Sequence, residues 1–153
     1  FTFFEAGYNL RPTDLQAFIG LRQLDKLEWL IKRRWENHCL YRKRLDCALY
    51  TQNYSPESVI CSIHFGAVAA NKVERKKIVE ALNKEDIENR MFSAGNLGLH
   101  PFWTDRYSKF SRPMADKIHH CGFFLPNNPS LTPDDIMFIS QVVIDAIKSD
   151  KKS

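Results

Sequence analysis

The run Gly7-Tyr8-Asn9-Leu10-Arg11-Pro12-Thr13-Asp14-Leu15-Gln16-Ala17 places an amide and a guanidinium on a short loop that feeds straight into a helix start. Gly7 frees the backbone ahead of the turn, and Pro12 stiffens its exit. Thr13 followed three residues later by Gln16 has capping-box spacing, which fixes where the helix begins. A loop held so firmly at one end presents Asn9 and Arg11 in a single geometry suited to a phosphate group. The plainer reading is that Asn9 closes the turn and Arg11 solvates a helix entrance. The pair alone leaves both readings open.

Working outward, Leu15, Phe18 and Ile19, then Leu24, Leu27, Ile31, Trp35, Cys39, Leu45 and Leu49, recur at steps near three and four. That is the helical period, so residues 13–50 read as a short helix leading into a long one. The long helix is longer than a compact small domain would cover, which leaves part of its apolar stripe exposed as an association surface. After the polar stretch 51–57, residues 59–65 have the β-branched and aromatic content of a strand. Asn71 with Glu74 three on caps a helix to about Lys84, and a second strand is predicted near 87–92. Residues 93–105 read as a loop. Pro113 to His120 then reads as a short helix, Gly122 to Leu125 as a short strand, and Thr132-Pro133-Asp134-Asp135 as a strong helix start. The final helix buries Ile136, Ile139, Val142, Val143, Ala146 and Ile147. Helices interleaved with a small sheet predict an α/β or α+β two-layer sandwich. The one internal boundary falls near Thr51, giving 1–50 as loop and connecting helices and 51–153 as a small domain.

At 153 residues the chain is long enough for one core, and 44% hydrophobic with 26% charged residues is ordinary globular composition. No apolar run approaches bilayer length. The formal charge of +4 is modest. Lys32-Arg33-Arg34 and Arg42-Lys43-Arg44 form a basic stripe that nucleic acid would use, but Glu28, Glu36 and Asp46 interleave with it, which favours a solvated helix face over a nucleic-acid partner. Cys39, Cys47, Cys61 and Cys121 have no paired spacing. His119-His120-Cys121 is the one local cluster with ligand chemistry, and adjacent helical residues point apart, so no metal is expected.

His64 lies in a predicted strand and reads either as a core or edge residue or as a site residue. In the loop 93–105, Gly95 and Gly98 allow close backbone approach, while Phe102 and Trp103 beside His100 either stack on a ligand or pin the loop to the core.

The opening run resembles the G-Y-N-x-[RK]-x-[ST]-[DE]-x-Q-A segment of the DegT/StrS-type family, pyridoxal-phosphate (PLP) enzymes acting on nucleotide-linked keto-sugars. Leu21-Arg22-Gln23-Leu24 through Leu27, Arg33-Arg34-Trp35-Glu36-Asn37, Ile87-Glu88-Asn89-Arg90 with Ser93-Ala94-Gly95-Asn96, and Gly122-Phe123-Phe124-Leu125-Pro126 with Leu131-Thr132 resemble later family motifs in order. The resemblance covers nearly the whole chain. Pro12 and the form of Ser93 to Asn96 are closer to the branch that removes a C-3 hydroxyl and its related branches than to typical aminotransferases.

The resemblance implies the small domain of a fold-type I PLP enzyme, cytoplasmic and homodimeric, in lipopolysaccharide or deoxysugar biosynthesis. It implies that Asn9 and Arg11 face the cofactor phosphate, with Asn9 reaching across to the partner subunit's site. Arg90, Ser93, Asn96 and His100 are implied on the sugar nucleotide. The family's PLP-holding lysine, or the histidine replacing it in the C-3 branch, precedes the Gly-Tyr-Asn segment. This chain is therefore expected to be the carboxyl-terminal part of a longer enzyme, with no catalytic residue of its own. The alternative is a non-catalytic interaction module or split-enzyme subunit.

Overall fold

In the computed structural model the described residues are 13–92 and 95–149. Six helices and four strands follow in the order α1 (Asp14–Leu24), α2 (Leu27–Leu45), β1 (Tyr50–Thr51), β2 (His64–Val68), α3 (Lys72–Lys84), β3 (Arg90–Met91), α4 (Pro101–Thr104), α5 (Pro113–Cys121), β4 (Gly122–Pro126) and α6 (Pro133–Lys148). A 3-10 turn, Leu97–Leu99, precedes α4. The strands form one antiparallel sheet in the order β1-β2-β4-β3.

Alternation along β2 and β4 gives the sheet its two faces. Phe65, Ala67, Phe123 and Leu125 turn toward α2, α3 and α6 and are fully buried with Tyr41, Leu45, Ile78, Leu82, Ile136 and Val143. The Tyr41 hydroxyl donates to the Pro126 carbonyl at 2.9 Å, which ties α2 to the end of β4. Burial, with a smaller push from Asp135, raises the Tyr41 phenol well above its ordinary pKa.

The opposite face is left by His64, Gly66, Val68 and Phe124, and α5 leans on it. Gly66 and Gly122 have room only for hydrogen on this side. A Cβ at Gly66 would lie 2.8 Å from the Phe92 ring, and one at Gly122 would lie 2.6 Å from the Ile118 carbonyl. Phe92 can therefore lie flat across the sheet, 4.4 Å from the Phe124 ring centroid.

The caps form as the sequence predicts. The Thr13 hydroxyl accepts from the Gln16 N–H while the Gln16 side chain accepts from the Thr13 N–H, and Thr132 and Asp135 repeat the arrangement at α6. Asn71 accepts from the Glu74 N–H at 2.9 Å. Arg33 pairs with Glu36 and Arg42 with Asp46, each at 2.7 Å, so part of the basic stripe of α2 is spent along its own helix.

Three expectations need correction. The strand placed at 59–65 begins only at His64, because β4 supplies five partners and its ladder ends at the His64–Pro126 pair. The strand placed at 87–92 reduces to Arg90 and Met91. The long helix, read as running to residue 50, ends at Leu45, and Tyr50 with Thr51, the latter read as the start of a turn-rich stretch, pair with Val68 and Ala67 as an edge strand.

No residue of α1 is buried, and Leu15, Phe18, Leu21 and Leu24 are each more than half exposed. The second half of α2, by contrast, packs against α6 and buries Asn37, His38, Tyr41 and Leu45.

Candidate functional site

Two regions carry chemistry. The first is the segment from Gly95 to α5. Gly95 sits at φ +60°, where a side chain would be strained and where a Cβ would lie 2.4 Å from His119 Nδ1. That turn directs Asn96 inward. Asn96 is 6% exposed, and its amide donates to the Phe110 carbonyl at 3.1 Å and to Asp116 Oδ1 at 2.6 Å. Its side-chain oxygen accepts from the Gly98 N–H at 2.9 Å, and its own N–H reaches His119 Nδ1 at 3.2 Å. The Ser111 hydroxyl donates to the other Asp116 oxygen. The Asn96 amide is thus committed to holding the segment onto α5.

These bonds, from the Ser111 hydroxyl first and the Asn96 amide second, hold the Asp116 carboxyl below the usual carboxylate range. The fold favours the ionised form, so the stabilisation is complete above about pH 4 and is lost as pH falls through the lower folded value. Asp116→Asn is expected to remove that part of the acid sensitivity. Denaturant unfolding of both proteins between about pH 6 and pH 3 should show their stabilities converging toward the acid end.

Of the other residues predicted to bind substrate, Arg90 and His100 lie within the described residues. Arg90 lies exposed on β3 and pairs with Glu88 at 3.0 Å. His100 ends the 3-10 turn, with its ring 5.7 Å from that of His119. Ser93, Asn9 and Arg11 lie outside the described residues. The aromatic pair divides: Phe102 is 59% exposed, whereas Trp103 packs at 4.8 Å on Tyr107 and donates to the Ser108 carbonyl at 3.1 Å. Among the described residues no group of three His, Cys, Asp or Glu side chains is placed to hold a metal. All four cysteines are free thiols.

The second region is a cleft of about 620 Å3 on the open sheet face. Its floor is His64, Gly66, Val68 and Phe124; Met114, Lys117 and Ile118 of α5 form one wall, and residues 50–53 form the other. His64 stacks on Phe124 at 5.2 Å, and Phe92 closes that end of the row. At the far end His38 lines the cleft from α2. Sequence reasoning passed over His38, Lys117 and Asp116, because no local spacing reveals that α2, α5 and the sheet converge.

A small antiparallel sheet with α2, α3 and α6 packed on one face and α5 on the other defines the class, since it superposes on fold-type I PLP enzymes. A crystal structure of Escherichia coli GDP-4-keto-6-deoxy-D-mannose-3-dehydratase with bound hydrated PLP matches 94% of this chain and 38% of that one, with a TM-score of 0.77 and 26% identity. An aminotransferase from Brucella abortus, 20% identical, shares the fold with a TM-score of 0.79 over 94% of this chain and 39% of that one.

The chain belongs to the DegT/DnrJ/EryC1/StrS aminotransferase family, whose model matches residues 2–147. An uncharacterized Methanocaldococcus jannaschii protein is 32% identical over 91% of this chain and 38% of its own length. GDP-perosamine synthase of Escherichia coli O157:H7 is 26% identical over 90% of this chain and 37% of its own length. The chain thus spans under two-fifths of the length of these relatives. No helix among the described residues is long and apolar enough to cross a membrane.

Proposed function

We propose that this chain is the carboxyl-terminal, small-domain part of a cytoplasmic, homodimeric, PLP-dependent enzyme that modifies a nucleotide-linked keto-sugar by amino transfer or by C-3 deoxygenation. The reading is carried by the family match over residues 2–147. It is supported by relatives named for GDP-linked sugars, among them an Escherichia coli O55:H7 GDP-4-keto-6-deoxy-D-mannose 3-dehydratase that is 28% identical over 94% of this chain.

Among the described residues no lysine is buried; Lys77 and Lys117 are half-buried and the others exposed. A lysine that holds PLP sits in a desolvated pocket. On this reading the residue that holds PLP belongs to another part of the enzyme. When bound, PLP supplies the electron sink, and this chain's share is positioning. Asn9 donates its amide to the cofactor phosphate in the partner subunit's site, and Arg11 adds a planar guanidinium suited to paired hydrogen bonds with an anion. The segment from Arg90 through Ser93 and Asn96 to His100 closes over the sugar nucleotide, with Asn96 holding its shape.

Asn9→Ala is expected to weaken PLP retention by about 1.5–3 kcal/mol, the worth of one hydrogen bond to a charged group. Mixed dimers of the complete enzyme test the geometry. With Asn9→Ala on one subunit and a knockout of the PLP-holding residue on the other, one site carries both defects and its twin is intact, so activity should stay near half. Inactive mixed dimers would place Asn9 in its own subunit's site.

A further inference from the structure

Asn96 is held on α5 by two side chains about one helical turn apart. Asp116 accepts the Asn96 side-chain amide at 2.6 Å, and His119 accepts the Asn96 backbone N–H on Nδ1 at 3.2 Å. The two acceptors differ in kind. A carboxylate accepts wherever it is ionised, whereas Nδ1 accepts only while the imidazole is neutral and carries its proton on Nε2. Protonation would set a second N–H against that of Asn96, so that a bond becomes a contact between two donors.

The backbone at this point is closely confined. Gly95 turns at φ +60°, and a Cβ there would meet His119 Nδ1 at 2.4 Å and the His119 Cα at 2.9 Å. At the other end of the turn, a Cβ on Gly98 would lie 2.5 Å from the Phe110 carbonyl. The Asn96 N–H is thus aimed at Nδ1 by packing on both sides. Both oxygens of the neighbouring Asp116 are already engaged, by the Asn96 amide and the Ser111 hydroxyl. The other ionisable groups beside His119 are His100, with its ring 5.7 Å away, and His120 at 4.8 Å. Burial first, then Lys72 of α3, His119 and Lys109, hold the His120 pKa below its ordinary value against the pull of Asp116, so this end of α5 receives added positive charge poorly.

We propose that His119 is a positioning residue whose neutral imidazole latches the turn at 95–100 to α5, and that gain of a proton below neutral pH releases the turn. The consequence for substrate rests on the function proposed above, in which this segment closes over the sugar nucleotide; the latch itself does not. The geometry fixes the sign. The latched form excludes the proton, so its stability is full near about pH 8 and is lost as pH falls through the range in which an imidazole charges. That window lies above the one set by Asp116, whose carboxylate is held below the usual range and stays ionised throughout it.

Hydrogen exchange at the Asn96 amide of the full 153-residue chain tests the latch, with rates expressed as protection so that the intrinsic effect of pH cancels. Two substitutions divide the imidazole. Asparagine sets a side-chain oxygen where Nδ1 stands and does not titrate, whereas glutamine carries its amide out toward the place of Nε2. Wild-type protection is expected to fall about tenfold between about pH 7.5 and about pH 5.5, with no matching fall in α6. His119→Asn should keep the amide protected at both pH values, and His119→Gln should leave it weakly protected at both. In the complete enzyme, kcat/KM for the sugar nucleotide should show an acid limb that His119→Asn lacks. Wild-type protection that ignores pH, or a fall that persists in His119→Asn, would overturn the latch. So would a lowered Tm in both variants with the pH dependence unchanged, since His119 would then act by packing alone. An active enzyme without the acid limb would overturn the positioning role. Turnover of the keto-sugar combined with pH-indifferent exchange would sink the latch and leave the family function standing, and a working latch in an enzyme that turns over no keto-sugar would do the reverse.

Discussion

Replacing Phe123 by alanine is expected to remove about 3–5 kcal/mol of stability, the range for deleting a buried aromatic ring. The reason is its place. Phe123 is fully buried on β4, the strand that pairs with both β2 and β3, and its side chain faces the layer of α2, α3 and α6. Helices on that side are fixed at several points, so the cavity would close poorly. For a chain of this size the loss corresponds to a fall in Tm of roughly 10 °C. Denaturant unfolding would check it: the midpoint should fall while the slope stays constant. A loss below about 1 kcal/mol would mean that the helical layer collapses into the space and that β4 is not the centre of the core.

The second large effect is expected at Asn96. Alanine there leaves the Gly98 N–H and the Phe110 carbonyl without partners and removes a bond to the ionised Asp116. Losing a charge-assisted bond and orphaning part-buried backbone groups should cost about 2–4 kcal/mol. A double-mutant cycle with Asp116→Ala should show coupling of about 1 kcal/mol or more, because both residues belong to one network. Hydrogen exchange should quicken in 96–112 and leave α6 unchanged.

In the complete enzyme the same change should lower kcat/KM for the sugar nucleotide about 10- to 100-fold, with PLP affinity unaltered. The joint fall in stability and kcat/KM is the signature of a positioning residue. A fall in kcat/KM with Tm unmoved would place the Asn96 amide on the substrate.

Local rules made much of the fold legible. The Thr13 and Thr132 caps, the Asn71 cap, the proline starts of α5 and α6 and the buried stripe of α6 depend on groups within four residues of one another, so spacing alone reveals them. The family resemblance was legible for the same reason, since its motifs are contiguous. Strand limits were not. A strand ends where its partner does, and Val59 and Ile63, β-branched and strand-like, stay exposed because β4 offers nothing beyond Pro126.

The Asn96 side chain shows the same division at the level of function. Its motif was readable in sequence, but only the positive φ at Gly95 and the approach of α5 decide that its amide turns inward to Asp116. The cleft is more dependent still. His38 on α2 lies far along the chain from Lys117 on α5 and Phe124 on β4, and they share a cavity because β1 is short and two glycines let Phe92 lie on the sheet. Sequence by itself determined where helices start, which faces are apolar and which family the chain resembles. Tertiary structure alone decided which polar side chains meet, because strand pairing and helix docking are set by contacts that no local spacing encodes.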